Sequence, residues 1–205
     1  MMLASCSIIQ DIEAMSERGL ASLAFFYCDF NERQKRELRG LVSSLLVQFC
    51  HQFDSYCDIL SNFYTEHANG MKHASDNALV ECLKEILKIP GNVPVYLVLD
   101  ALDECGTMSS MPSPREEVLK LVEELIDSQT PNLHVCVTSR PEVDIKDALH
   151  PLTFRSISLH DETGQMEDID NYIRFIVNTD QTMQKWKTVD KQLVIEVLKN
   201  KADGM

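Results

Sequence analysis

The chain of 205 residues is short of positive charge: 19 lysines and arginines stand against 32 aspartates and glutamates, for a formal net charge of −13. No run of Lys and Arg is dense enough to follow a phosphate backbone, which argues against a nucleic acid partner and against an anionic membrane surface. Glycine is scarce as well. Of the seven glycines (Gly19, Gly40, Gly70, Gly91, Gly106, Gly164 and Gly204) none is followed by Lys. No pair has the spacing of G-x-x-x-x-G-K-[ST], the loop whose backbone N–H groups cradle phosphates. No apolar stretch reaches the roughly 18 residues of a membrane span. The start, MMLASCSIIQDIEAM, has neither the basic region nor the long apolar core of a signal peptide. The seven cysteines are odd in number and contain no CxxC pair, the pattern of reduced thiols rather than of a disulfide framework. Together these absences describe a soluble, cytoplasmic protein.

What remains is ordinary globular material, 44% hydrophobic and 25% charged, enough for one core and a small appendage. Four short apolar runs are bounded by polar or turn residues: SLAFFYCDF (22–30), VPVYLVLD (93–100), LHVCVTSR (133–140) and LTFRSISL (152–159). The second and third are continuously apolar and rich in Val, which predicts strands buried on both faces of a parallel sheet. Between the runs lie helical patterns. Residues 33–53 space Leu38, Leu41, Val42, Leu45, Leu46 and Phe49 at threes and fours, and residues 77–89 do the same with Leu79, Cys82, Leu83, Ile86 and Leu87. SPREEVLKLVEELIDS (113–128) opens on a start signal, with Ser113 as N-cap, Pro114 at the first helical position and Glu116 closing a capping box. Strands alternating with helices imply right-handed crossovers and an α/β layered fold. After residue 160 the pattern changes to two helices, 166–178 and 189–202, the start of a helical subdomain over 161–205.

Chemistry concentrates where the second run ends. VYLVLDALDEC places Asp100, Asp103 and Glu104 directly after five apolar residues. In a parallel sheet the carboxyl ends of the strands open onto the ligand crevice. Asp100 would face that crevice, where a hydrated Mg²⁺ offsets its charge, and Glu104 would orient or deprotonate a water. The plainer reading is a solvated strand-to-loop junction. The third run ends in Thr138, Ser139 and Arg140, with Pro141 stopping the strand. An Arg there can reach a phosphate with its planar fork; its plainer role is a surface ion pair with Glu142 or Asp144.

Taken together, VYLVLDALDEC and VCVTSRPE, with SLAFFYCDFNERQKRELRGLVSSLLVQFC upstream and NKADGM at the end, resemble the NACHT class of signalling NTPases. The resemblance is to the fungal proteins with a nephrocystin-3-like N-terminal domain, and it covers nearly the whole chain. It implies a P-loop NTPase sheet over 1–160 in which Asp100 is the Walker B residue serving Mg²⁺, Asp103 and Glu104 position the attacking water, and Ser139 and Arg140 contact the nucleotide, Arg140 sensing the γ-phosphate. It implies ATP or GTP with Mg²⁺ as ligand, nucleotide-driven self-association or protein partners, ankyrin or other repeats beyond this chain, and in fungi an association with non-self recognition and cell death.

The chain departs from that pattern in lacking the phosphate cradle and the strand before it. MMLASCSIIQDIEAM resembles the helix that follows the loop, with Met1 near the loop's Ser/Thr position, and NKADGM stops where relatives continue. A truncated gene product and a degenerate paralogue both fit. Weak or absent nucleotide binding is therefore expected of these 205 residues, and loss of an inner strand would leave sheet edges with unpaired N–H and C=O groups. Three readings follow: a NACHT-type NTPase module, a nucleotide-independent interaction or scaffold module, and a non-functional truncated product.

Other candidates carry less. Cys50, His51 and Cys57 fall on a helix running into a loop and read as packing and surface residues rather than a Zn²⁺ site. Cys105 has no His at a motif position to activate it as a nucleophile. NERQKRELR (31–39) reads as the exposed start of a helix, and Trp186 as a packing anchor of the subdomain.

Overall fold

The computed structural model describes residues 2–67, 69–89, 93–107, 112–158, 163–180 and 182–202. Met1, Gly91 and the last three residues of NKADGM lie outside that set. Two compact units are distinguished, Met1–Thr153 and Phe154–Met205.

In the first unit three strands, β1 (Ser22–Tyr27), β2 (Val95–Asp100) and β3 (Leu133–Val137), form one parallel sheet in the order β1-β2-β3. Ser22 pairs with Val95 and Val95 with Leu133, so the three strands run level. The helices are α1 (Met2–Ser16), α2 (Leu38–Cys50), α3 (Asp54–Glu66), α4 (Asp76–Lys88), α5 (Pro114–Asp127) and α6 (Val143–Leu149). Because successive strand residues point to opposite faces, the sheet has two apolar sides. Ala24, Phe26, Leu97 and Leu99 meet Leu41, Leu45 and Phe49 of α2, Leu83 and Ile86 of α4, and Val118 and Val122 of α5 in the main core. On the opposite face Leu23 and Val98 pack with Ile9 and Ile12 of α1. Helices on both faces of a parallel sheet make the three-layer, P-loop-like α/β fold that the alternation of runs predicts.

Local signals explain the element boundaries. The capping box forms as expected: Glu116 N–H donates to Ser113 Oγ at 3.2 Å and Ser113 N–H to Glu116 Oε2 at 2.7 Å, with Pro114 in the first turn. α4 starts on Ser75, whose hydroxyl accepts from Ala78 N–H. α2 begins at Leu38, not at residue 33. Arg33–Lys35 form a separate 3-10 turn and Glu37 is extended, at φ −111° and ψ 145°. Gly40 is required in the first turn of α2, since a Cβ there would lie 1.7 Å from the carbonyl oxygen of Gln34.

Four expectations are corrected. The run 152–159 forms no strand through residue 158, and Leu159 lies outside the described residues. Among the described residues no strand pairs with it, and Phe154 and Ile157 are exposed. β3 is not buried on both faces as β2 is, because it stands at the sheet edge and its residues are half-buried or exposed. The segment after His51, expected to run into a loop, is α3, with Tyr56, Ile59, Leu60 and Phe63 at helical spacing against the main core. Trp186 is 40% exposed, so it anchors little.

The edge of β1 is closed by side chains. Gln52 Oε1 accepts from Leu23 N–H at 3.0 Å while its Nε2 donates to Leu23 C=O at 2.6 Å, and Gln48 does the same for Phe25 at 3.0 and 2.8 Å. Two amides four residues apart, Gln48 in the last turn of α2 and Gln52 just past its end, thus replace a strand, satisfying backbone groups that would otherwise face outward unpaired.

The second unit contains α7 (Thr163–Thr179) and α8 (Thr188–Ala202). Val177 and Ile195 are its buried side chains among the described residues. Asp170 pairs with Arg174 at 2.7 Å and with Lys199 at 3.2 Å, and these cations hold its carboxyl below the usual range despite some desolvation.

Candidate functional site

β2 is the central strand, flanked by a neighbour on each side, and its last residue carries the site. Asp100 is 2% exposed. Burying a carboxylate is costly unless it is hydrogen-bonded, and Thr138, the first residue past β3, supplies the bond, its hydroxyl donating to Asp100 Oδ1 at 2.5 Å. The same hydroxyl accepts from Ala101 N–H at 3.1 Å, and Thr138 C=O accepts from Leu102 N–H at 3.0 Å. One threonine therefore clamps the chain as it leaves β2.

That exit turns sharply. Ala101 adopts a left-handed conformation, φ 56° and ψ 48°, which costs an L-residue with a Cβ on the order of 1–2 kcal/mol. The turn drives Leu102 fully into the core and starts a 3-10 turn over Leu102–Glu104. Asp103 and Glu104 are thereby kept at the mouth of the sheet. Asp103, its side chain 5% exposed, accepts from Arg140 N–H at 3.0 Å through Oδ1 and pairs with Arg140 Nε at 3.4 Å through Oδ2. Glu104 Oε2 accepts from Phe30 N–H, beyond the end of β1, at a long 3.4 Å. Ser139 is half-buried, and its hydroxyl donates to the carbonyl of Arg140.

The structure thus brings Asp100, Asp103, Glu104, Ser139 and Arg140 to the carboxyl ends of β2 and β3. It gives Arg140 a partner other than the two its sequence neighbours offered, Asp103 instead of Glu142 or Asp144. Asp144 is taken by Arg115 of α5, whose Nη1 donates to both carboxylate oxygens at 3.3 and 3.1 Å and whose Nη2 donates to the carbonyl of Asp103. Arg115 is 7% exposed and fixes the acidic turn from below, a role that its place in an otherwise amphipathic helix does not advertise. Thr138 was legible only as a hydroxyl next to a strand end.

Two buried thiols complete the surroundings. Cys28, just past β1, and Cys105, just past the acidic turn, bring their sulfurs to 3.2 Å. The hydrogen bond between them, with burial and nearby carboxylates, pushes the Cys28 thiol far up. The same bond lowers Cys105 against the opposing effect of burial, helped by the Arg115 guanidinium. On the other face, burial and the Cys6 thiol push Tyr27 up to about 12, with Asp100 contributing.

Among the described residues no three His, Cys, Asp or Glu side chains converge as a metal-binding group. A hydrated Mg²⁺ keeps several waters and needs only one or two carboxylates together with phosphate oxygens. Asp100 is the residue that would hold it; both oxygens of Asp103 are already engaged by Arg140.

A parallel sheet layered between helices, with a buried carboxylate ending its central strand and an arginine three residues past the next, defines a P-loop-like α/β module. Residues 2–140 match the family model described as nephrocystin 3, N-terminal, and the chain belongs to that family. It is similar to the vegetative incompatibility protein HET-E-1 of Podospora anserina, 27% identical over 151 residues, which cover 72% of this chain and 10% of that protein. The chain thus spans about a tenth of the length of that relative. No solved structure matches. No described helix is long and apolar enough to cross a membrane.

Proposed function

We propose that this chain is part of a NACHT-type signalling NTPase, a nucleotide-dependent switch that works through self-association or protein partners. The observation that carries the reading is Asp100, a carboxylate kept buried at the end of the central strand by the Thr138 hydroxyl, beside the Asp103–Arg140 pair. In this class of fold ligands bind beyond the carboxyl ends of the strands, and a carboxylate at the end of the central strand supports a role toward a cation and phosphates. In this reading Asp100 anchors Mg²⁺, which supplies charge neutralisation at the phosphates. Glu104, whose one backbone contact is long, orients water, and Asp103 holds Arg140 toward the nucleotide, with Ser139 beside it. The similarity to a vegetative incompatibility protein supports a role in fungal non-self recognition. With no glycine followed by lysine, these 205 residues hold ATP or GTP weakly. That same feature favours the second reading, a nucleotide-independent interaction module.

The test is a thermal unfolding scan of the chain with and without Mg²⁺ and ATP or GTP, beside Asp100→Ala. Ligand at 100 times its dissociation constant adds about 2.7 kcal/mol, a shift of a few degrees for a domain of this size. A shift present in the wild type and lost in Asp100→Ala supports the switch. Turnover, where measurable, falls in Glu104→Gln while binding persists. A cooperative transition that nucleotide leaves unmoved at millimolar concentration shows that these residues by themselves hold no nucleotide and favours the interaction module.

A further inference from the structure

We propose that Cys28 and Cys105 form an oxidation-sensitive dithiol whose conversion to a disulfide restrains the acidic turn. The two sulfurs lie 3.2 Å apart although the residues are 77 positions apart in sequence. A disulfide bond is about 2.05 Å long, so closure requires the sulfurs to approach by about 1.2 Å. The Cys28 backbone is already tied to the end of β2, its N–H donating to Asp100 C=O at 2.9 Å, while Cys105 N–H closes its own turn on Leu102 C=O at 3.1 Å. Free buried cysteines ordinarily serve as small apolar fillers. A pair in sulfur–sulfur contact, joining the end of one strand to the loop after the next, is also one two-electron oxidation from a cross-link.

Hydrogen peroxide supplies the oxidant. One sulfur attacks the peroxide, the O–O bond breaks, and a sulfenic acid and water result. The second sulfur attacks the first, the S–S bond forms, the S–O bond breaks, and the hydroxide leaves as a second water. Two thiols and one peroxide give one disulfide and two waters. The consequence, which rests on the nucleotide-site reading above, falls on Glu104. Its contact with Phe30 N–H joins the same two segments, 28–30 and 102–105, that the disulfide would draw together. Oxidation therefore moves the glutamate and weakens the nucleotide response.

The experiment treats the folded chain with hydrogen peroxide, alkylates the remaining thiols and maps disulfides by peptide mass spectrometry, with Cys57, which is exposed, as the internal control for reagent access. A Cys28–Cys105 cross-link that dithiothreitol reverses is the expected result, with two fewer alkylated thiols. Oxidation of Cys57 while Cys28 and Cys105 stay reduced, or a map dominated by Cys50–Cys57 or intermolecular links, overturns the proposal. The wild-type map needs no variant; Cys28→Ala, checked for native circular dichroism, should lose the cross-link. The melting shift with Mg²⁺ and nucleotide is then compared between reduced and oxidised chains. An equal shift in both removes the coupling. A reduced chain with no shift removes nucleotide binding by these residues and the coupling with it, while the disulfide map still decides the pairing.

Discussion

The two edges of the sheet are finished differently. On β1, Gln48 from the last turn of α2 and Gln52 from just past its end bond the outward N–H and C=O groups of Phe25 and Leu23. On β3, no further strand pairs beyond Leu133–Val137 among the described residues. A row of outward backbone groups is a template for another strand, so β1 ends the sheet and β3 leaves it able to continue. The contrast shows that an edge is made by its neighbours. Both strands are short, apolar and parallel to β2, and the end of the helix packed against β1, with the turn after it, happens to carry two amides in the right register.

The sharpest test of this contrast compares strand centre with strand edge. Leu97→Ala, at a β2 position 1% exposed, should cost about 2–5 kcal/mol in urea unfolding. Val135→Ala on β3, which is half-buried, should cost less than half as much; equal losses would mean that the β3 edge is covered after all. The next effect belongs to the sealed edge. Gln52→Leu leaves the Leu23 N–H and C=O without their partner, at about 1–3 kcal/mol, and should raise concentration-dependent association in sedimentation. A stable, monomeric Gln52→Leu chain would show that the amide is ornamental. The smallest effect is expected at the mouth of β3. Arg140→Ala removes an ion pair whose arginine is 71% exposed, and should change stability by under about 1 kcal/mol. A larger loss would make Arg140 a structural clamp and weaken its assignment to a ligand.

Much of the fold was legible because its signals are local. The Val-rich runs, the i, i+3, i+4 spacing of α2 and α4, and the Ser113–Glu116 box each act within a few residues, and the elements form where those signals stand. α3 was readable too, in Tyr56, Ile59, Leu60 and Phe63, once its pattern is separated from that of α2. LTFRSISL misleads for the opposite reason: alternation marks a strand only when another strand accepts its hydrogen bonds, and through residue 158 none does.

The acidic cluster divides in the same way. That Asp100, Asp103, Glu104 and Arg140 stand at strand ends follows from their order in the chain, because an apolar run must end before a charge can be solvated. Which of them is buried, and who partners whom, does not. Thr138 meets Asp100, Arg140 meets Asp103, Arg115 bridges Asp103 and Asp144, and Cys28 meets Cys105 only after three strands have aligned in register. The sequence by itself determined the elements, their α/β alternation and the placement of charge at the sheet's mouth, since those depend on backbone propensity and side-chain polarity over short stretches. Only the tertiary structure decided the sealed and open edges, the buried hydrogen bond of Asp100 and the thiol pair, because each requires contacts between residues dozens of positions apart that no local preference encodes.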